Sequence, residues 1–516
     1  MLMSRSALIA PLVPRPGGQT RGPAHPVGEG VNLSTATRCR RLRGGASASG
    51  RLYFQAAAAR SFAGPRRPGK RFPNDAFMEQ IDALITARWI IPIEPARRVL
   101  EHGALAVQRG RIIAVLPAQE ALARYSPQTL IERPTHVLLP GFVNAHTHAA
   151  MTLLRGFAEA PHLDCWLREQ IWPAERRWID ADYVRDGVDL AIAEMLTGGT
   201  TCFADMHLFP EVTAQCAAAA RMRVCVGLPV VEAATVWAGS ADECLDKGLR
   251  LHDEYRGDPL ICTALAPYSP RALGDEALAR VRRNADELEL PMTMHVNESS
   301  GEVVCDGERT IARLERLGLL SPLLAAVHMV HLDEDEVERA ARAGLSVVHC
   351  PQSNLKLGVG VCRAGTLAAR GVTVALGTDG AASNNDLDML DEMRTAALLA
   401  RGVHPGEPRP DAHDWLQAAT LNGARALGLS EVVGSLVEGK WADICCIDLN
   451  RAATQPVYDV AAQLVYATSR EQVSDVWVAG RALVREGRLA HIDLEEVLRR
   501  ASRWRERIAA GYQPTE

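Results

Sequence analysis

The stretch that decides the fold is HVLLPGFVNAHTH, residues 136–148. It is an apolar run that ends in polar side chains, with His146 and His148 one residue apart. Seven further runs of the same kind follow: TTCFADM, RVCVGLPVVE, LICTALAPYSP, LPMTMHVNES, LAAVHMVHL, LSVVHCPQSN and VTVALGTDG. Between them lie segments such as DYVRDGVDLAIAEMLTGG and DEALARVRRNADELEL, whose apolar residues fall near the i, i+3, i+4 spacing of an amphipathic helix. Eight strand–helix units in series predict an α/β fold, a (β/α)8 TIM-type barrel, over residues 139–430.

Outward from the barrel the texture changes. IDALITARWIIPI and GALAVQRGRIIAVLP are short apolar runs with turn residues between them, and RGRI reads as a tight hairpin. Residues 78–138 are therefore expected to form a small antiparallel β unit. Similar runs return in residues 431–490, as GSLVEGKWADICCIDL and VSDVWVAGRALVREGRL. Neither flank is large enough to bury a core alone, so the two are expected to pair into one small β-sandwich. Residues 491–516 are expected to hold a C-terminal surface helix and a tail.

Residues 1–77 carry thirteen Lys and Arg against Glu29 and Asp75, a charge of +11, while the whole chain is −5. The remainder is thus −16, which argues against a nucleic-acid partner. The basic leader is rich in Pro, Gly and Ser, lacks strand or helix periodicity, and is expected to be disordered. The preferred reading starts the functional chain at Met78; an organellar targeting segment and a functional tail are the alternatives. No apolar run reaches the roughly 18–20 residues of a membrane-spanning helix. The twelve cysteines include no CxxC pair, which fits free thiols in a reducing cytoplasm. The expected partners are a small-molecule substrate and further copies of the same chain, with no nucleic acid and no membrane.

In such a barrel the reactive groups sit at the C-terminal ends of the strands. Those ends carry His146 and His148, then His295 and Glu298, His328 and His331, His349, and Asp379. Two imidazoles spaced like His146 and His148 are expected to converge on one ion where a strand frays or bulges. Imidazole nitrogens with one carboxylate suit Zn²⁺, with iron or manganese as alternatives. Three histidines and an aspartate leave room for a water, whose pKa the metal would bring down to about 7.

PGFVNAHTH, HVNES, VHCPQSNLKLG and LGTDGAASNNDLDMLDEMRTAALL resemble the amidohydrolase superfamily, in the branch of chlorotriazine hydrolases and S-adenosylhomocysteine/5′-methylthioadenosine deaminases. The resemblance covers roughly residues 80–505 and implies a single zinc held by His146, His148, His295 and Asp379. Strand 4 ends ALAPYSP, without the lysine or glutamate that bridges two metals in some relatives. By the same resemblance Glu298 moves a proton to the ring nitrogen beside the attacked carbon. His328 orients the attacking water, and Asp379 accepts its proton. His331 is read as structural, His349 as structural or as supporting the ligands from behind, and SNLKLG as shaping the loop after strand 7.

DCWLREQIWPAERRW resembles the segment in which a tryptophan lines the substrate pocket and a glutamate holds the ribose, which points to Trp166 and Glu175. One carboxylate can accept from both hydroxyls of a cis diol. The chain departs from the branch after strand 4: Tyr268 stands where a substrate-touching histidine is usual, and Arg271 where a tyrosine is. Glu298 and Asp379 would also touch the substrate. The expected activity is hydrolytic deamination of an adenine nucleoside, water attacking the ring carbon and ammonia leaving. The alternatives are another heterocycle (a triazine, guanine, a pterin or a cyclic amide) and, more remotely, a non-catalytic binding barrel.

Overall fold

The computed structural model describes residues 78–511, apart from 160–161, 306 and 404–405. The expectations for the basic leader 1–77 and for the tail 512–516 lie outside the described residues. Among the described residues no helix is long and apolar enough to cross a membrane.

The first sheet has eight strands drawn from both ends of the chain. These are β1 (Glu79–Ile90), β2 (Leu100–Gln108), β3 (Arg111–Pro117), β4 (Tyr125–Pro140), β15 (Ile444–Asp448), β16 (Val473–Val478), β17 (Arg481–Arg485) and β18 (Arg488–Leu489). Their order is β18-β17-β16-β15-β4-β1-β2-β3. The RGRI hairpin is present: Arg109 and Gly110 both take positive φ between β2 and β3. The expectation of an antiparallel unit needs correcting at one pair. β1 and β4 run parallel, Ala83 facing Thr129 and Ile90 facing Leu138. Parallel pairing requires a long crossover, and the β2–β3 hairpin with helix Ala118–Arg124 supplies it. The sheet curls on itself: Ile85, Leu105 and Ile112 from one half share a core with Ile444, Cys446 and Trp477 from the other.

The second sheet is the barrel, with β5 (Phe142–Thr147), β6 (Thr200–Asp205), β7 (Arg223–Val230), β8 (Ile261–Pro267), β9 (Met292–Val296), β12 (Leu324–His328), β13 (Ser346–His349) and β14 (Thr373–Leu376). They lie in chain order and pair in parallel. A two-stranded hairpin, β10 (Val304–Cys305) with β11 (Glu308–Arg309), decorates the loop after β9. β5, β6, β7, β9 and β13 are buried along their whole length. That is why they read as unbroken apolar runs rather than alternating ones. The Asp379 amide donates to the His146 carbonyl at 3.0 Å, drawing the loop after β14 against β5.

The stretch 136–148, expected to be one strand, is two. Its first half ends β4 of the first sheet and its second half is β5 of the barrel. The chain crosses at Gly141, where a Cβ would stand 2.1 Å from the Thr201 side chain; only glycine fits so close an approach. The two sheets are also tied by a buried ion pair, Arg223 Nε to Asp443 Oδ2 at 2.8 Å. Helix Leu494–Gly511 docks on helix Ala181–Thr197 through Trp504, whose indole N–H donates to Asp186 at 2.7 Å and whose ring meets Tyr183 edge-on.

Candidate active site

Alternation along a strand puts residues 146 and 148 on one face. The structure adds a register irregularity between Asn144 and Thr147, and β5 stops at Thr147. The turn beyond it is pinned from below by the buried Asp205 at the end of β6. Its Oδ1 accepts from the Ala149 amide at 2.7 Å, and its Oδ2 from the Thr213 hydroxyl at 2.9 Å. His146 and His148 are thereby presented to the barrel axis with His295 from β9.

The ring nitrogens converge. His146 Nε2 and His295 Nε2 are 3.2 Å apart. Asp379 Oδ1 lies 3.5 Å from His146 Nε2 and 3.3 Å from His148 Nε2. Two rings are held from behind: His148 Nδ1 donates to the Met206 carbonyl at 2.5 Å and His295 Nδ1 to the Tyr268 carbonyl at 2.8 Å. Fixing the proton on Nδ1 turns the Nε2 lone pair inward. Asp379 is held the same way, since its Oδ2 accepts from Ser353 Oγ at 2.6 Å and Ser383 Oγ at 2.9 Å, leaving Oδ1 to face the imidazoles. This donor set fits one divalent metal ion, and its second shell is already in place.

The loops carrying these groups are strained. Asn297, His328, Met329 and Asp379 all take positive φ, a cost that recurs where side chains must be aimed. Gly377 lets the last loop pass β5, because a Cβ there would stand 2.9 Å from the backbone and Cβ of His146.

Electrostatics separate the two carboxylates. Asp379 is buried, which alone would raise its pKa, yet its hydrogen bond to His146 and the surrounding histidines hold it well below the ordinary value. Glu298 is raised well above its ordinary value by burial and by the charges of Asp379 and Glu302. The site thus pushes one carboxyl towards its ionised form and the other towards its protonated form, which is the arrangement that separates a base from an acid. His328 lies with its Nε2 3.7 Å from Glu298 Oε1 and its Nδ1 2.9 Å from Asn354 Oδ1. Burial lowers its pKa to about 4, so it is neutral, with the Nδ1 proton on Asn354 and the Nε2 lone pair free.

The structure thus brings together seven of the nine residues singled out in the sequence. Tyr268 stands with its ring edge-on to His295 at 5.0 Å between centroids. Burial, Glu298 and Glu175 raise its pKa, so its hydroxyl stays a neutral donor. Glu175, on helix Trp172–Trp178, reaches the site from the side, with Oε1 3.6 Å from His207 Nε2. Trp166 begins a π-helical turn, is 4% exposed, and gives its indole N–H to the Ala158 carbonyl at 3.2 Å. The structure gives it as part of the barrel's main core. His331 donates to the Val359 carbonyl at 2.8 Å, and His349 is buried beneath the site.

Sequence reasoning missed Ser353, Ser383, Asn354, Asp205 and His207. The signal for Ser353 and Asn354 was their position in PQSN just beyond β13, since the ends of β5, β9 and β12 and the loop after β14 all carry groups of the site. The same signal pointed to His207, two residues beyond β6.

A family model described as "Amidohydrolase family" matches residues 137–483. A 5-methylthioadenosine/S-adenosylhomocysteine deaminase of Teredinibacter turnerae is 44% identical over 434 residues, 83% of this chain and 98% of that protein. Its counterpart in Saccharophagus degradans is 40% identical over 433 residues, 83% of this chain and 97% of that one. Among solved structures, an adenosine deaminase from Xanthomonas campestris with bound zinc superposes with TM-score 0.83 at 46% identity, covering 84% of this chain and all of that one. Atrazine chlorohydrolase from Arthrobacter aurescens, complexed with zinc, gives TM-score 0.76 at 25% identity over 82% of this chain and 99% of that one. With a matching family model over most of its length, two close relatives and the residues to hold a metal, the chain belongs to the amidohydrolase family.

Proposed function

We propose that this chain is a zinc-dependent hydrolytic deaminase of adenine nucleosides of the 5′-methylthioadenosine and S-adenosylhomocysteine type. The observation that carries the reading is the geometry of one cluster of three inward-facing imidazoles with two carboxyl groups beside it, Asp379 held towards its ionised form and Glu298 towards its protonated form. His146, His148, His295 and Asp379 would hold the zinc, and a bound zinc lowers the pKa of water towards about 7. The chain's own groups then divide the proton traffic. Asp379 Oδ1 takes the proton of the attacking water, and His328, neutral and held by Asn354, accepts a hydrogen bond that aims the oxygen. Glu298 gives its proton to the ring nitrogen next to the attacked carbon; the proton held by Asp379 then passes to the amino group, which leaves as ammonia, and the adduct's hydroxyl proton returns to Glu298 as the ring carbonyl forms. Tyr268 donates to the substrate from the β8 end, Trp166 lines the substrate pocket, and Glu175 accepts from the ribose hydroxyls. The two relatives above, deaminases by name, support the substrate class.

A second reading, a hydrolase of another heterocycle such as a triazine, is favoured by Tyr268 and by the likeness to atrazine chlorohydrolase. An ammonia-release screen over nucleosides, free bases and aminotriazines separates the two. The proposed function predicts ammonia from the nucleosides first; ammonia from a free base or triazine alone overturns it.

The proposal places the enzyme in the cytoplasm, supported by the absence of disulfides among the eleven described cysteines. It also has the chain working as a homo-oligomer, which light scattering on the purified protein tests. The division into β-sandwich parts 78–138 and 431–490, barrel 139–430 and terminal helix 491–516 belongs to the same proposal.

A further inference from the structure

We infer that His207 is a positioning residue for Glu175, and that the two side chains together form the recognition element for the diol of a nucleoside. The inference deepens the proposed function and rests on it.

His207 follows β6 at the mouth of the barrel, and its side chain is 3% exposed. Its Nδ1 faces the Leu208 carbonyl at 3.3 Å. A carbonyl only accepts, so Nδ1 carries a proton. Its Nε2 is buried without a hydrogen-bond partner and lies 3.6 Å from Glu175 Oε1. Were Nε2 unprotonated, a lone pair would be turned towards a carboxylate. With a proton on each nitrogen the ring is a donor aimed at Glu175. Burial opposes that charge, but Glu175 and then Asp205 more than offset it.

The distance matters. At 3.6 Å the contact is too long for a hydrogen bond, and a buried donor left unsatisfied is uncommon in a folded protein. The gap is what a site looks like when a third group completes it. A diol offers two hydroxyls that both donate and accept. Glu175 can take the protons of both, while His207 donates to one of the oxygens. A carboxylate alone supplies only acceptors, so the pair reads a diol more selectively than Glu175 would. His207 also fixes which rotamer Glu175 presents. No other group assigned to the chemistry needs His207.

The test uses the zinc-loaded full chain and two substrates, 5′-methylthioadenosine and its 2′,3′-dideoxy analogue, with ammonia release as the readout. In His207→Leu, KM for 5′-methylthioadenosine should rise about 10- to 50-fold with kcat within about threefold. The same variant should handle the dideoxy analogue as the parent does and keep its zinc. His207→Gln, which retains a donor, should recover most of the affinity and stands in if the leucine variant does not fold. Equal losses on both substrates, a fall in zinc content, or unchanged KM overturns the inference while leaving the proposed function intact. A parent enzyme that releases no ammonia from any nucleoside overturns both.

Discussion

The metal side and the sugar side of this site are built differently. His148, His295 and Asp379 are each clamped from behind by a carbonyl or a pair of hydroxyls. They project from or just beyond strand ends of one barrel, so their positions follow from the main fold. Glu175 sits on the short helix Trp172–Trp178, with His207 Nε2 3.6 Å from its Oε1. On the proposed reading the barrel fixes the chemistry, and the helix that carries Glu175 sets the substrate.

The sharpest way to break that contrast is to remove the metal. Stripping with a chelator should reduce turnover to background, a loss of at least about 10³-fold, and one equivalent of zinc per chain should restore it. Substantial activity in metal-free protein, checked by elemental analysis, would mean that the imidazole cluster does not carry the reaction. Glu298→Gln comes next. It should lower kcat by roughly 10²- to 10⁴-fold with metal content unchanged. The sign of the pH effect follows from its raised pKa: the working form is the acid, so activity is kept below that pKa and lost as pH rises through it. The glutamine variant should lack this alkaline limb in its rate profile.

Two smaller perturbations separate the sides. Ser353→Ala removes one of the two hydroxyls that hold Asp379 Oδ2. It should cost roughly 10- to 100-fold in kcat or zinc affinity, equally for every substrate. Glu175→Ala should raise KM for nucleosides by about tenfold and leave any activity on a free base nearly alone. If Glu175→Ala lowers kcat on free bases as much as on nucleosides, the two sides are not separable. Smallest for catalysis, and confined to stability, is Asp443→Ala. It strands the buried Arg223 and should cost about 3–5 kcal/mol in denaturant unfolding with kcat/KM unchanged in the folded fraction.

The sequence was most legible where function is local to strand ends. His146, His148, His295, Glu298, His328 and Asp379 could be read because eight apolar runs each stop at a polar group. The barrel could be read for the same reason. Topology that depends on long-range pairing was less visible: β1 lies parallel to β4 across an intervening hairpin and helix. Nor does residue pattern alone show that one apolar stretch serves two sheets, divided at Gly141 against Thr201. The place of His207 beyond β6 was readable, but its role was hidden, because that role lies in a contact with Glu175, 32 positions earlier, and no local spacing announces such a pair. Trp166 shows the opposite limit. A buried tryptophan in the barrel core reads the same from sequence whether it lines a pocket or fills the interior.

The central claim is that this chain directs water, not another nucleophile, to the ring carbon of an adenine nucleoside. Turnover of 5′-methylthioadenosine by the zinc-loaded enzyme in ¹⁸O-labelled water tests it most directly. The account predicts one ammonia per turnover and one ¹⁸O in the ring carbonyl of an intact nucleoside product. Free adenine as the product, an unlabelled carbonyl, or no turnover of any adenine nucleoside would contradict it.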